Sequence, residues 1–576
     1  MQNRIKTDLL IIGSGLAGSF AAIKAKETGA KRVTVVSKGK IGTDGASTFG
    51  AGIIYALFPD EDRATAFKKM ASHEFYGAGL YDEEWLDATL DEYYERIIEM
   101  DNWGVKFMKT PDGKFKRIFT RWDENMIQLP GPQVMEAMAQ KVLDSKAEVI
   151  GNTMITDLLT EDGEPGRRVI GAIGFDVRTG EFKVFEAKCV IMASGPCTFK
   201  AMWTGHRNLS GEGYVIAYRA GAELGGFEMG SNHIVTGRDY DLMGQSMLFG
   251  LDGYLVNAMG ERFMKEYYPP SADKAITARM AAAVAMEVRG GRGPIYLDLT
   301  HWSSEQIENL RYAYPLTVKI LEQKGVIVGN RVLEKIEQTC TWCGTITAGG
   351  GIRVNTKCES TLPGLYACGD AMIRRLHHPF CLTGAAAAGA RAGRYAAIYA
   401  KEAEEITPDE DQVENARKSA YLPLDRKDGI EADHLIIKLQ EALLPYNVAI
   451  IARADRLEKA IKEVQRIREE ELPLVYAADP HYLRLCNEIR SMVEVAEMYL
   501  RCRLMRQESR ESCLREDYPY VDNIDWLKWI YLKQDNGKMK LWTEDLPIEK
   551  YKIKPERKKY LHPVFEVARK RGVKWG

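Results

Sequence analysis

Thr7-Asp8-Leu9-Leu10-Ile11-Ile12-Gly13-Ser14-Gly15-Leu16-Ala17-Gly18 is the stretch whose reading decides the fold. Its apolar run is long enough for a buried parallel strand, and the small-residue helix Ser19-Phe20-Ala21-Ala22-Ile23-Lys24-Ala25 follows the glycines directly. In the order strand, G-x-G-x-x-G, helix, each glycine has a task. Gly13 makes the tight turn, Gly15 lets backbone approach a pyrophosphate, and Gly18 lets helix and strand pack closely. The helix N-terminus, with Leu16 and Ala17 in its first turn, would hold the phosphates. With 51 glycines in 576 residues the spacing also arises by chance, so its context carries the reading. Arg32-Val33-Thr34-Val35-Val36 reads as the second strand of a βαβ unit and runs out into Ser37-Lys38. Ser37 stands where a nicotinamide-binding fold carries an acidic ribose ligand.

The rest of the chain bounds the problem. A length of 576 residues exceeds one core and implies about two to four domains. Apolar content of 45% and charged content of 28% are those of an ordinary soluble protein. A net charge of -2 gives no general attraction to nucleic acid, although the last stretch, from Lys552 to Lys574, is locally basic. No apolar run reaches the roughly 18 residues that span a bilayer, and the ten cysteines are scattered. These features fit a cytoplasmic protein that reaches a membrane only through partners.

Further along, Gly39 to Gly52 is a loop of small and polar residues, with Gly45-Ala46-Ser47 at its centre. Such a loop lets backbone pass close to a flat ring, or is simply flexible. Residues 62 to 107 carry helical periodicity. From 148 the pattern turns to strands: Glu148-Val149-Ile150, Val169 to Phe175 and Lys183 to Ala187 read as a small antiparallel meander. Cys189-Val190-Ile191-Met192-Ala193-Ser194-Gly195 then reads as a separate buried strand returning to the first sheet. Gly364-Leu365-Tyr366-Ala367-Cys368-Gly369-Asp370 has the same form, and its carboxylate could accept hydrogen bonds from a ribityl or ribose hydroxyl, or cap a helix. The expected organisation is an α/β protein. A discontinuous Rossmann-like nucleotide-binding domain (1–235 and 345–400) carries an inserted α+β capping domain (236–344), followed by a helical domain (401–520) and an irregular basic tail (521–576). No internal repeat is visible.

The G-x-G-x-x-G, Ser37-Lys38, Ala193-Ser194-Gly195 and Gly369-Asp370, in this order, resemble the flavoprotein subunits of fumarate reductase and succinate dehydrogenase. Their superfamily also holds L-aspartate oxidase and the alpha subunit of adenylylsulfate reductase. Ser210-Gly211-Glu212-Gly213-Tyr214, Arg289 to Asp298, and Glu508-Ser509-Arg510 with Arg515-Glu516-Asp517-Tyr518-Pro519 are similar too, so the resemblance spans residues 5 to about 530. It implies FAD as cofactor, with Thr383 completing the cofactor-binding set, and an iron-sulfur, ferredoxin-like partner subunit. The family histidine that carries FAD covalently falls near Asp44-Gly45 here, so FAD should be noncovalent. The dicarboxylate-binding stretches are replaced by Met247 to Gly253 and Ile346 to Gly351. Adenylylsulfate reductase fits better at Gly291-Arg292-Gly293-Pro294-Ile295-Tyr296 and at the histidine after Gly-Asp. It departs at Tyr55 and near Pro130, where that family has an asparagine and a glutamate. An adenylylsulfate reductase-like enzyme is favoured, with a fumarate reductase-like reducer of an activated C=C bond and an FAD electron-transfer subunit without a substrate site as alternatives.

The substrate side rests on a few residues. His233 falls where fumarate reductases place a substrate-binding histidine, though a lone histidine serves equally as a core residue. Arg238 could face an anion or sit in a surface salt bridge. His377 and His378 follow Arg374-Arg375 close after Gly369-Asp370, a cluster suited to binding an anion or donating a proton, or merely a basic loop. Arg279 lies near the cap arginine that fumarate reductases use as proton donor; arginine holds its proton, so stabilising an anion is the easier role, and a helix-surface position is the plain alternative. Cys340-Thr341-Trp342-Cys343 is a single C-x-x-C and cannot supply a cluster's or a structural zinc's four thiolates. No metal site is expected.

Overall fold

The computed structural model describes residues 3–50, 52–72, 79–119, 125–201, 205–233, 237–242, 244–275, 277–339, 345–373 and 381–575. Strand β1 (Asn3–Ile12) leads through the glycine loop into helix α1 (Leu16–Glu27) and strand β2 (Val33–Val36). The two strands are parallel, with Ile12 opposite Val36. Helix α1 is apolar nearly all round and buried from Leu16 to Ile23, as a helix sandwiched between layers must be.

Strand β3 (Glu148–Ile150) pairs in parallel with β2, which corrects its expected place in the meander; three residues are too few to show whether side chains alternate. The meander itself is β4 (Thr153–Thr160), β5 (Val169–Asp176) and the first half of β6 (Phe182–Met192). The second half of β6 pairs with β7 (Leu365–Ala367), while β1 runs along the whole opposite edge. The two strands expected at 183–187 and 189–195 are therefore one. The chain passes from alternating to continuous apolar residues where the strand changes partner from an antiparallel to a parallel neighbour.

Gly230–His233 pairs antiparallel with Thr345–Ala348, so the chain leaves the nucleotide fold and rejoins it through one two-stranded ribbon. Between these strands lie the three-stranded sheet of Tyr254–Val256, Tyr296–Asp298 and Ile336–Glu337 and the buried helix α2 (Thr277–Arg289). Helix α3 (Cys381–Glu402) then lies along α1. A Cβ on Gly389 or Gly393 would stand 2.2 Å from the carbonyl oxygens of Ala17 and Ala21, so only glycine lets the two backbones meet. The helical region follows, including Ala454–Arg466, whose stripe Leu457, Ala460, Ile461 and Val464 is buried as its spacing requires. It ends with α4 (Pro480–Met505), capped by Asp479, which accepts the Tyr482 amide at 3.0 Å. No helix among the described residues is long and apolar enough to cross a membrane.

Beyond α4 the expected irregular tail is replaced by ordered structure. Lys528–Asp535 and Lys538–Asp545 form a hairpin turning at Asn536-Gly537, both with positive φ (49° and 74°). It extends onto Leu224–Gly225 of the main body, and helix α5 (Pro563–Lys570) packs against α2. Ahead of the hairpin, Arg503, Arg506, Arg510 and Arg515 are all at most 1% exposed. Glu508 accepts Arg506 at 2.6 Å and Arg510 at 2.8 Å, and Glu228 accepts Arg506 at 2.9 Å. Arg515 donates to the carbonyls of Arg503, Leu504 and Arg506 at 2.7 to 3.0 Å. Ser512 Oγ accepts the amide of Gly230 at 2.9 Å, which fastens this network to the start of the ribbon.

Candidate functional site

The C-terminal ends of β2, β1, β6 and β7 lie side by side in the parallel part of the sheet, which is where open α/β folds bind nucleotides. The Cys368 amide donates to the Met192 carbonyl at 2.9 Å and the Ala193 amide to Ile12 at 2.8 Å. These bonds bring Gly13–Gly18, Ser37, Ala193-Ser194-Gly195 and Gly369-Asp370 to one edge. The loop after β2 joins them. Ser47, in the turn Ala46–Phe49 that Gly45 opens at φ 80°, accepts the Leu16 amide at 3.2 Å. Ser14 and Ser37 hydroxyls meet at 2.9 Å, which links the glycine loop to the end of β2.

Close approach decides the residue types. A Cβ on Gly18 would lie 1.9 Å from the Gly13 carbonyl oxygen, and one on Gly13 (φ 112°) 2.3 Å from that of Ala193. No side chain caps α1 at Gly15, and no acidic residue occupies its first turn. The Leu16 amide is taken by Ser47, and the rest of the helix dipole is left for an anion. The Ser194 hydroxyl is buried without a hydrogen-bond partner among the described residues. Asp370 sits in a short turn whose carbonyl accepts the Tyr214 hydroxyl at 2.6 Å. Nothing local in the sequence marks Tyr214 for this place. A helix N-terminus without an acidic residue, a waiting hydroxyl and a carboxylate at the adjoining strand end fit a dinucleotide such as FAD.

Two expected cofactor contacts are engaged elsewhere. The Lys38 ammonium is held by Glu212 and Glu488, each at 2.6 Å, and by Ser210 at 3.3 Å. Glu488, fully buried on α4, also meets Lys200 at 2.7 Å and Arg484 at 2.9 Å. Burial alone would raise the Glu488 pKa, but the surrounding cations hold it below the usual carboxylate range. Lys38 therefore ties β2 to α4 with its charge neutralised inside the protein. The Thr383 hydroxyl donates to the Tyr55 carbonyl at 2.5 Å and fixes the start of α3. Cys368, beside Gly369, is pushed up to about 12 by burial and is a thiol at neutral pH.

On the cap side, the backbone of His233 ends the ribbon strand, opposite Thr345; its side chain, like His377, His378, Cys340 and Cys343, lies outside the described residues. Arg238 is 57% exposed and bonds both oxygens of Glu337 at 2.9 Å and Asp239 at 3.1 Å. It is already neutralised at the surface, which corrects its expected place facing an anion. Arg279 stands in the first turn of α2, half-buried, its guanidinium 4.7 Å above the Tyr268 ring. His562, 4% exposed, accepts the Val564 amide at 3.3 Å. Burial, together with Arg279 and Arg510, brings its pKa down to about 3, so it is neutral beside the arginine. Sequence spacing gives no hint that residue 562 returns to the cap.

A family model described as an FAD binding domain matches residues 8–386, and one described as the fumarate reductase flavoprotein C-terminus matches 438–560. One polypeptide of the CoM/CoB fumarate reductase of Methanothermobacter marburgensis is 28% identical over 572 residues, covering 92% of this chain and 97% of that protein. Among solved structures, E. coli quinol fumarate reductase superposes with a TM-score of 0.85 at 20% identity, over 97% of this chain and 99% of that one. Adenylylsulfate reductase of Archaeoglobus fulgidus superposes at 0.77 and 22%, over 95% and 96%. The chain belongs to the family of the FAD binding domain, with the fumarate reductase flavoprotein C-terminal model matching its later part; it is an FAD-dependent oxidoreductase.

Proposed function

We propose that this member of the FAD-binding family is the flavoprotein subunit of an enzyme that exchanges two electrons with a small anionic substrate held between nucleotide fold and cap. The electrons pass singly to or from an iron-sulfur partner. The observation that carries the anionic substrate is Arg279: a permanently charged guanidinium on the first turn of a cap helix, stacked on Tyr268 and beside an uncharged His562. A planar fork held in that way binds a carboxylate, sulfite or phosphate and stabilises negative charge as it grows.

Bound FAD would supply the redox chemistry, and the chain supplies the rest. The α1 N-terminus and Gly15 would take the pyrophosphate, Ser194 and Asp370 the hydroxyls between the two ring systems, and the cap would keep water from the reacting face. His233, His377 and His378 remain the proposed proton donors or anion contacts, and FAD is held without a covalent bond.

An adenylylsulfate reductase-like reaction is supported by Gly291 to Tyr296 and by the place of His377-His378. Reduction of an activated C=C bond is supported by the 28%-identical relative named a fumarate reductase. The deciding experiment adds sulfite to the oxidised holoprotein and follows the visible flavin band. Bleaching supports the first chemistry. An unchanged band, with reoxidation of chemically reduced protein by fumarate or another enoate, supports the second. If no small acceptor reacts while a co-purified iron-sulfur protein reoxidises the flavin quickly, the substrate site itself is refuted.

A further inference from the structure

The C-terminal arm grips two bodies. Its first part is fixed to the nucleotide fold. Trp529 Nε1 donates to the Leu80 carbonyl at 2.9 Å and the Tyr551 hydroxyl to the Tyr81 carbonyl at 2.5 Å. The amides of Lys552 and Ile553 donate to the two oxygens of Glu83 at 2.6 and 3.1 Å, and Lys552 Nζ meets Asp87 at 2.8 Å. Its last part is fixed to the cap. Arg571 reaches Glu287 at 2.8 Å, Glu266 at 2.5 Å and Glu261 at 2.6 Å, and its carbonyl accepts Arg292 at 3.2 Å. The strand Lys559–Leu561 between these grips pairs with Tyr520–Asp522.

The cap's covalent attachment is the two-stranded ribbon of Gly230–His233 and Thr345–Ala348, and a single ribbon allows a body to pivot. We propose that the arm is a strap holding the cap against the nucleotide fold, with Arg571 as its catch: releasing the cap to pivot about the ribbon requires α5 to part from α2 and Arg571 to leave Glu261, Glu266 and Glu287. The surroundings of Glu287 suit a catch more than a permanent weld. Removing the only partner of a buried charge is prohibitive, but fully buried Glu287 keeps Arg292 at 2.7 and 2.8 Å and Asn257 at 2.9 Å when Arg571 departs. Arg292 belongs to the cap and travels with Glu287. Glu261 and Glu266 are about half exposed, so water replaces the guanidinium there. The strap does not depend on which anion the site accepts.

The test uses full-length holoprotein. Arg571→Gln opens the cap-side grip and Glu83→Gln weakens the grip on the nucleotide fold. Hydrogen-deuterium exchange is read across residues 236–344, with iodide quenching of flavin fluorescence as a second readout. Both variants should speed exchange through the cap by about tenfold and raise quenching, while β1, β2 and β6 exchange as in the parent. Faster exchange confined to residues 563–575 in Arg571→Gln, or a parent-like cap in both variants, overturns the strap. Should Arg571→Gln fail to fold, Arg571→Lys retains a charge but loses the fork, and parent-like cap exchange in that variant overturns it equally.

Discussion

At residues 13–18 the protein is shaped by side chains it lacks; at residues 503–515 it is shaped by side chains that carry full charges out of water. In the first region backbone meets backbone, with Gly18 against the Gly13 carbonyl and Gly389 against Ala17. In the second, four buried guanidiniums donate to Glu228, Glu508, Asp517 and a set of main-chain carbonyls. The glycine region leaves room and amides for a ligand. The arginine region leaves neither, and fastens α4, the ribbon and the C-terminal arm to one another. A change in the first should therefore cost binding, and a change in the second should cost folding.

The sharpest way to break that contrast is Gly18→Ala. Its Cβ would fall 1.9 Å from a backbone oxygen that cannot move without shifting the loop. FAD affinity should fall by about a hundredfold or more, read as the ratio of flavin to protein absorbance after dialysis; stoichiometric FAD in the variant would refute the fit. Next comes Arg506→Ala, which leaves Glu228 and Glu508 short of a partner in the interior. Stability should drop by about 3 to 5 kcal/mol in urea titration, with the flavin ratio of the folded fraction unchanged. A loss below about 1 kcal/mol would place Arg506 among ordinary surface pairs.

The smallest effect belongs to the edge of the arginine region, where His562 stands by Arg279 and Arg510. Its folded pKa of about 3 is below the ordinary value near 6.5, so the unfolded chain takes up the proton first. The stability His562 contributes is full above about pH 6.5 and falls as pH drops toward 3, by about 2 kcal/mol at pH 5. His562→Asn keeps a side-chain oxygen for the Val564 amide and should remove that slope from the pH profile of unfolding. An unchanged slope would assign the acid sensitivity elsewhere.

What can be read from sequence follows from how local each cause is. The glycine loop, β2 and the strand ending in Gly369-Asp370 are written in a few consecutive residues, and their convergence follows from the parallel sheet. The single strand β6 reads as two because its neighbours change at residue 187, and neighbours are not visible in one chain. Charge composition makes the stretch after 521 look like a solvated tail, yet Asn536-Gly537 between Trp529-Ile530-Tyr531-Leu532 and Leu541-Trp542 is a strong hairpin signal. Lys38 looks like a cofactor contact because Glu488, its buried partner, comes far later in the chain. Arg238 looks equally suited to an anion until Glu337 and Asp239 stand beside it.

The pairing of β6 with β7 also sets a schedule for the newly made chain. β6 ends at Met192 and β7 begins at Leu365, an interval that a ribosome adding about 5 to 20 residues per second crosses in roughly nine to thirty-five seconds. Throughout that time the glycine loop exists without the turn at Gly369-Asp370, and α1 lacks α3 as its cover. The cofactor pocket is thus completed late in synthesis, after the whole cap has emerged, and until then the apolar helix α1 stands without α3 against it.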